Sequence, residues 1–159
     1  MKYLIILIFL FSTVVYAQNP ATSTINKSGL TPTELEATKD MYLKMMQSDT
    51  YIKLQAGTRA MNKKFKNVKL PKASEFSGVK DSIEVKDRLK VLLAKDIGKT
   101  NFKSLDEAVD TMMGNILLTQ KLLKENLELY TLLPKATKDQ FKEILEPERQ
   151  RAFDSLVPN

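Results

Sequence analysis

Several acidic side chains are spaced so that two carboxylates share one face of a helix. Residues three or four positions apart are neighbours on a helix surface, and carboxylate-based hydrolysis needs two such groups, one of them with a raised pKa. Every group here lies among lysines or at a predicted helix start, where negative charge is already stabilised. We therefore predict no catalytic role for these groups, which are Asp106, Glu107 and Asp110, Glu125 and Glu128, and Glu143 and Glu146.

The chain contains no histidine and no cysteine. Histidine is the usual general base near neutral pH and a common metal ligand, and cysteine supplies thiolate nucleophiles. The sequence also lacks an aspartate-rich calcium loop, a glycine-rich phosphate loop and a nucleophile elbow. These absences predict a protein that is not an enzyme and that holds neither a metal nor a cofactor.

A run of basic residues lies between Asp49 and Glu75, with no acid in between. Spacings of four and three place Arg59, Lys63 and Lys66 on one face of a predicted helix whose other side is apolar. That composition is typical of helices that lie on anionic lipid or lipopolysaccharide. The candidate contact residues for an anionic surface are Arg59, Lys63, Lys64, Lys66, Lys69 and Lys72.

The same basic stretch also suits an acidic partner protein, or a solvated face with no partner. The net charge of +6 is modest for 159 residues. Nucleic-acid binders usually add aromatic platforms or a recognisable fold motif, and neither is visible in the sequence. We expect the partner to be a protein or an anionic envelope surface, and we do not expect nucleic acid.

Six methionines follow the initiating one, four of them in two adjacent pairs. Methionine fills irregular gaps in helical cores and also lines adaptable grooves. The first interpretation predicts buried side chains, and the second predicts a groove or cavity for an apolar ligand or a partner's helix. The residues are Met41, Met45, Met46, Met61, Met112 and Met113.

Apolar residues recur every three or four positions along most of the chain, which indicates helices. Thr31 to Glu34 form a capping box with Pro32 at the first helical position. Ser48 either separates two helices or lies within one long helix. A second stripe then occupies Tyr51, Leu54, Thr58, Met61 and Phe65.

Further helices follow a loop that spans residues 67–78. One is predicted from Asp81 to Ile97, with Gly98 as a left-handed stop. The longest runs from the capping sequence at Ser104 to about Leu133, with Ile116 midway along its apolar stripe. A last capping signal begins at Thr137, and Pro147 bends that helix or starts a new one.

No segment alternates like a strand, so the sequence predicts an all-α bundle of four to six helices without disulfides. Residues 31–159 are interpreted as a single helical domain. Residues 18–30 are interpreted as a flexible leader, because they are polar and carry few large aliphatic side chains.

Residues 1–17 have the features of a cleaved signal peptide. Lys2 gives a basic start, an apolar run extends from Tyr3 to Phe11, and Val15 and Ala17 are small residues before Gln18. The apolar run is shorter than the roughly 20 residues that a membrane-spanning helix needs. We predict cleavage after Ala17 and a periplasmic or secreted protein with no transmembrane segment in the mature chain.

Three functions remain from the sequence. The first is a non-enzymatic protein that acts through protein–protein or envelope-surface contact. The second is a carrier that holds a small apolar or lipid-like ligand in an enclosed cavity of about 300 Å³ or more. The third and weakest is a hydrolase that uses two carboxylates about 5–10 Å apart.

Overall fold

The computed structural model describes residues 29–66, 68–79 and 81–154, and every regular element in these ranges is helical. We number the α-helices α1 (Pro32–Gln47), α2 (Asp49–Phe65), α3 (Ser82–Ala94), α4 (Leu105–Glu125), α5 (Leu127–Leu132) and α6 (Lys138–Asp154). Short 3₁₀ turns span Ala73–Phe76, Ile97–Lys99 and Leu133–Lys135. The all-α prediction is confirmed, and six helices agree with the predicted four to six. The predicted signal peptide and residues 18–28 of the predicted leader lie outside the described residues.

The predicted helix starts are largely confirmed by their capping hydrogen bonds. The Thr31 hydroxyl accepts from the Glu34 N–H, and the Glu34 carboxylate accepts from the Thr31 N–H at 2.8 Å. Thr137 and Gln140 exchange the same two bonds at the start of α6. At α4 the box is incomplete, because the Ser104 hydroxyl caps the Glu107 N–H but the Glu107 carboxylate accepts elsewhere.

Ser48 separates α1 from α2, which resolves the alternatives left open by the sequence. Its backbone is extended, and its hydroxyl donates to the Met45 carbonyl at 2.7 Å. The same oxygen accepts from the Tyr51 N–H in the first turn of α2. A single serine therefore ends one helix and caps the next.

Two predicted helix ends are wrong. The third helix ends at Ala94 and not at Ile97, and a 3₁₀ turn at Ile97–Lys99 follows, where Asp96 pairs with Lys99 at 2.6 Å. Gly98 lies in the 3₁₀ turn, without the positive φ expected of a left-handed stop.

The longest helix ends at Glu125 rather than near Leu133. The Asn126 side chain donates to the Leu122 carbonyl at 2.8 Å, which competes with helical hydrogen bonding at the end of α4, and the separate short helix α5 follows. Pro147, by contrast, lies inside the continuous helix α6.

Contacts along the chain group the described residues into two compact units. The first comprises the described parts of 52–121, and its buried core joins α2, α3, α4 and the loop before α4. Two ion pairs, Lys86–Asp110 at 2.9 Å and Lys90–Asp106 at 3.8 Å, occur in opposite order along α3 and α4, so these helices are antiparallel. The core residues are Met61, Phe65, Leu89, Leu93, Phe102, Ala108, Val109, Met112 and Ile116.

The second unit comprises the described parts of 29–51 and 122–154, where α1 packs against α5 and α6. Leu30, the last residue of the predicted leader, is only 4% exposed, and the Gln140 amide bonds both its N–H and its carbonyl. The Tyr130 hydroxyl donates to the Met45 sulfur at 3.5 Å, and burial raises the pKa of Tyr130 to about 12. The single-domain interpretation of residues 31–159 stays a prediction.

The apolar stripes are mostly buried as predicted. The whole stripe of α2 is buried, and Ile116 is 8% exposed. Two large apolar side chains near helix starts are instead in solvent, Ile83 at 71% exposure and Leu127 at 66%. Each lies in the first two positions of its helix, before the turns whose apolar side chains are buried. None of the helices in the described ranges is both long and apolar enough to cross a membrane.

Candidate functional site

The predicted basic residues lie at the C-terminal end of α2 and in the chain that follows it. Arg59 and Lys63 are exposed on the helix face opposite the buried stripe. The stripe fixes this orientation because Met61 and Phe65 belong to the core of the first unit. The apolar side of α2 is therefore committed to the interior and is not free to enter a lipid layer.

Lys66 does not continue the helical face, contrary to the sequence prediction. It follows the last residue of α2 and takes a left-handed conformation with φ 53°. Its N–H still donates to the Asn62 carbonyl, and the Val68 N–H donates to the Phe65 carbonyl at 3.0 Å. The helix thus ends in a left-handed turn that redirects the chain and leaves the Lys66 side chain exposed.

The chain after this turn carries half-buried apolar side chains and exposed lysines. Val68 and Leu70 pack against the core, whereas Lys69 and Lys72 are exposed. The Glu75 carboxylate accepts from the Lys72 N–H at 2.6 Å and marks the end of the basic stretch. The apolar residues therefore anchor this segment and hold its lysines outward.

Lys64 differs from the other basic residues because it has an acidic partner. Its ammonium forms an ion pair with the Glu107 carboxylate of α4 and lies 5.2 Å from the centre of the Phe102 ring. The Lys64 carbonyl accepts from the Asn101 N–H at 2.7 Å. The pKa of Glu107 is lowered mainly by the hydrogen bond from Lys64 and next by the hydrogen bond from the Lys103 backbone. Lys64 therefore ties the end of α2 to the loop before α4.

The contact between Lys64 and Glu107 also places Lys103 at the site. The Lys103 N–H donates to the second oxygen of Glu107 at 2.6 Å, and the Lys103 side chain is exposed. The rings of Phe65 and Phe102 pack edge to face, with their centres 4.9 Å apart, beneath the same junction. Sequence analysis missed Lys103 because it lies almost forty positions beyond Lys64, and only the folded contacts make them neighbours.

We call the resulting surface the basic end and define it by its exposed cations. Within the part of the chain that the structure describes, none of these six takes part in an ion pair. Some lysines elsewhere, such as Lys39, Lys86 and Lys142, are paired with carboxylates, whereas others, such as Lys44 and Lys138, are exposed and form no ion pair among the described residues. The basic end consists of Arg59, Lys63, Lys66, Lys69, Lys72 and Lys103, with Lys64 as its anchor.

Several of the acidic residues considered for catalysis pair with lysines in the structure. Asp110 bonds Lys86 and thereby raises the pKa of that lysine, and Glu143 does the same for Lys39. A general acid in hydrolysis needs a carboxyl group with a raised pKa, and Glu107 has the opposite shift. Among the described residues, no three acidic side chains cluster closely enough to hold a metal ion.

Most of the six methionines are buried, as expected of side chains that fill a core. Met61 and Met112 are buried in the first unit, and Met45 and Met46 in the second, while Met41 and Met113 are half-buried. A surface depression beside α3 is open to solvent, and its lining includes charged side chains. The enclosed apolar cavity that a carrier requires stays a prediction.

Comparison of the chain with protein-family models, curated proteins and solved structures found no match. The functional argument therefore rests on the basic end and its surroundings.

Proposed function

We propose that the protein is a non-enzymatic binding protein that acts outside the cytoplasm, through contact between its basic end and an anionic partner. The observation that carries the proposal is the grouping of exposed cations without ion pairs at the end of α2 and in the loops beside it. Six exposed cations at one end of the first unit form no ion pair among the described residues, while its α3 lysines are paired with α4. Clustered unpaired charge of one sign attracts an oppositely charged surface.

The rigid support beneath the basic end favours a binding role for it. The Lys64–Glu107 pair, the Phe65–Phe102 contact and the half-buried Val68 and Leu70 all hold the basic segments to the core. Side chains whose backbone is fixed lose less conformational freedom on binding. The basic end is thus prepared for contact with a partner.

The location outside the cytoplasm is proposed from residues 1–17 alone. A chain without cysteine needs no particular redox environment, so its fold is compatible with an oxidising compartment. Export would place the basic end opposite the anionic polymers and lipids of an envelope.

Co-sedimentation with isolated cell envelopes tests the proposal. The binding variant replaces Arg59, Lys63, Lys66 and Lys69 by Gln. The control replaces Lys44, Lys124, Lys135 and Lys138, four exposed lysines of the second unit, and therefore has the same net charge. We expect the unmodified protein and the control to sediment at low salt, and the binding variant to lose at least about tenfold in affinity. Equal loss in both variants, or no salt-sensitive sedimentation of the unmodified protein, would overturn the proposal.

A further inference from the structure

We infer that the partner of the basic end is a linear polyanion, a flexible chain of repeated phosphate or similar acidic groups. The inference rests on the proposed function and specifies its ligand. Four features of the described residues carry it: the order of the cations along the chain, the use of the nearby backbone N–H groups within the protein, the buried apolar side of α2, and the burial of the Phe65 and Phe102 rings.

The cations follow one another in a row. Arg59 and Lys63 are one helical turn apart, which is a rise of about 6 Å, and Lys66 follows directly after the end of the helix in its left-handed turn. Lys69 and Lys72 are spaced by about 10 Å of extended chain. Each acidic group of a linear polymer can therefore meet a separate cation as the polymer follows this path.

A single small anion does not match this arrangement. Compact phosphate sites bring several donors, often backbone N–H groups, to one point. At the basic end the backbone N–H groups of Lys66, Lys72 and Lys103 are already used within the protein. The exposed ammonium groups are spread out, and lysine acts as a point charge rather than a bidentate fork.

A lipid layer is also a poorer match. Peripheral helices bind membranes by burying an apolar face in the headgroup region, but Met61 and Phe65 are fully committed to the core. The large apolar side chain exposed on the outer face of α2 is Ile52, almost two turns before Arg59. Electrostatic attraction is thus left as the main source of affinity.

The aromatic rings near the site argue against recognition of nucleic-acid bases. Single-stranded nucleic acids bind proteins through stacking on exposed rings in addition to phosphate contacts. Phe65 is 2% exposed and Phe102 is 8% exposed, so neither presents a ring face to a base. A polymer whose charge alone is recognised fits this surface better.

Salt titration of polyphosphate binding tests the inference quantitatively. The probe is long-chain inorganic polyphosphate, and affinity of the full exported chain is measured between about 50 and 200 mM NaCl. Six contacts to a flexible polyanion predict a slope of log affinity against log salt near about −4, and a loss on the order of 10²-fold across this range. Single Lys63→Gln, Lys69→Gln and Lys103→Gln variants should each reduce the slope by about 0.7.

Two further probes separate failure of the inference from failure of the proposed function. Tripolyphosphate should bind with a much shallower slope, since it reaches only two or three cations. Vesicles of equal parts phosphatidylglycerol and phosphatidylcholine should bind more weakly than polyphosphate at equal charge. Vesicle or envelope binding that needs the basic end, without polyphosphate binding, would overturn the inference and leave the proposed function. No binding to any of these probes or to envelopes would overturn the inference and the proposed function together. Salt slopes that the substitutions leave unchanged would show that polyphosphate binds away from the basic end and would overturn the inference.

Discussion

Lys66 combines a strained backbone with a position at the centre of the basic end. A residue with a Cβ pays roughly 1 kcal/mol to occupy the left-handed region, and Lys66 has φ 53° there. Asparagine or glycine is common at such helix ends. The lysine at this position is consistent with a charge kept for binding at some cost in stability, as the proposed function implies.

Replacing Lys66 by Gly should therefore stabilise the protein while weakening its binding to anions. We expect the free energy of unfolding to rise by about 1 kcal/mol, because glycine relieves the strain at positive φ. Lys69→Gly is the matched control, since it removes the same charge nearby without positive φ. It should lower stability by a few tenths to about 1 kcal/mol. Urea denaturation checks both, and a less stable Lys66→Gly protein would contradict the assigned conformation.

Glu107 gives the anchor of the basic end a dependence on pH. Its pKa in the folded protein is lowered below 4.5, first by the hydrogen bond with Lys64. A carboxyl group with a lowered folded pKa adds stability above its unfolded pKa, and this contribution is lost as the pH falls through the folded value. Stability of the unmodified protein should thus exceed that of Glu107→Gln at neutral pH, and the difference should shrink below pH 4.5.

Denaturation midpoints of the two proteins between acidic and neutral pH measure this difference. In a Lys64→Gln background, the stability difference made by Glu107→Gln should change less with pH, because the main cause of the lowered pKa of Glu107 is then removed. A difference that stays constant down to the most acidic pH would show that Glu107 does not interact with Lys64 in solution.

At the scale of elements, α2 and α4 approach each other tightly at Gly57 and Asn115. A Cβ atom on Gly57 would overlap the Asn115 side-chain oxygen, and Asn115 is buried with its amide donating to the Met61 sulfur at 3.4 Å. Gly57→Ala should therefore lower stability by about 1–3 kcal/mol through overpacking. Gly114→Ala is the control, because no atom lies near its Cβ position, and it should add about 0.5–1 kcal/mol. Equal effects of the two substitutions in denaturation experiments would contradict this packing.

The apolar stripe of α4 provides a second test of how this helix is oriented. Ile116 is 8% exposed in the core of the first unit, while its neighbour Leu117 is 54% exposed. Ile116→Ala should lower the free energy of unfolding by about 2–5 kcal/mol, and Leu117→Ala should change it by less than about 0.5 kcal/mol. Thermal or urea unfolding of both variants checks the orientation. A reversed order would mean that α4 is rotated about its axis.

Local sequence signals predicted most elements because their physical causes are local. The capping box of Thr31 and Glu34 involves side chains three positions apart, and the stripe from Leu54 to Phe65 follows the helical period. Asn126 was missed because it acts by competing for the Leu122 carbonyl, which the residue type alone does not reveal.

The remaining differences between the sequence predictions and the structure depend on contacts between residues that are distant in the chain. Leu30 was assigned to a flexible leader, but it is held by Gln140, 110 positions away. The same limit applies to the basic end. Its lysines on α2 and in the next loop were found from composition, whereas Lys103 and the pairing of Lys64 depend on Glu107. A one-dimensional pattern contains no information on which loop meets a helix end.

At the scale of the whole molecule, the proposed function depends on where the protein is delivered. Exposed lysines attract anionic polymers in any compartment, so the cytoplasm would offer nucleic acids as competitors. Export removes that competition. The predicted signal peptide lies outside the described residues, and the prediction is made from Lys2, the apolar run and the small residues before Gln18.

We expect the exported protein to begin at Gln18, as determined by mass spectrometry of the intact chain from the periplasm or medium. Ala17→Arg should leave an uncleaved precursor, because only small side chains are accepted directly before the cleaved bond. Gln18→Glu is the control and should be processed normally. An exported protein that still carries Met1, or an Ala17→Arg variant cleaved at the same bond, would contradict the assignment. Retention of the unmodified protein inside the cell would leave the basic end facing cytoplasmic polyanions, and its physiological ligand would then have to be sought there.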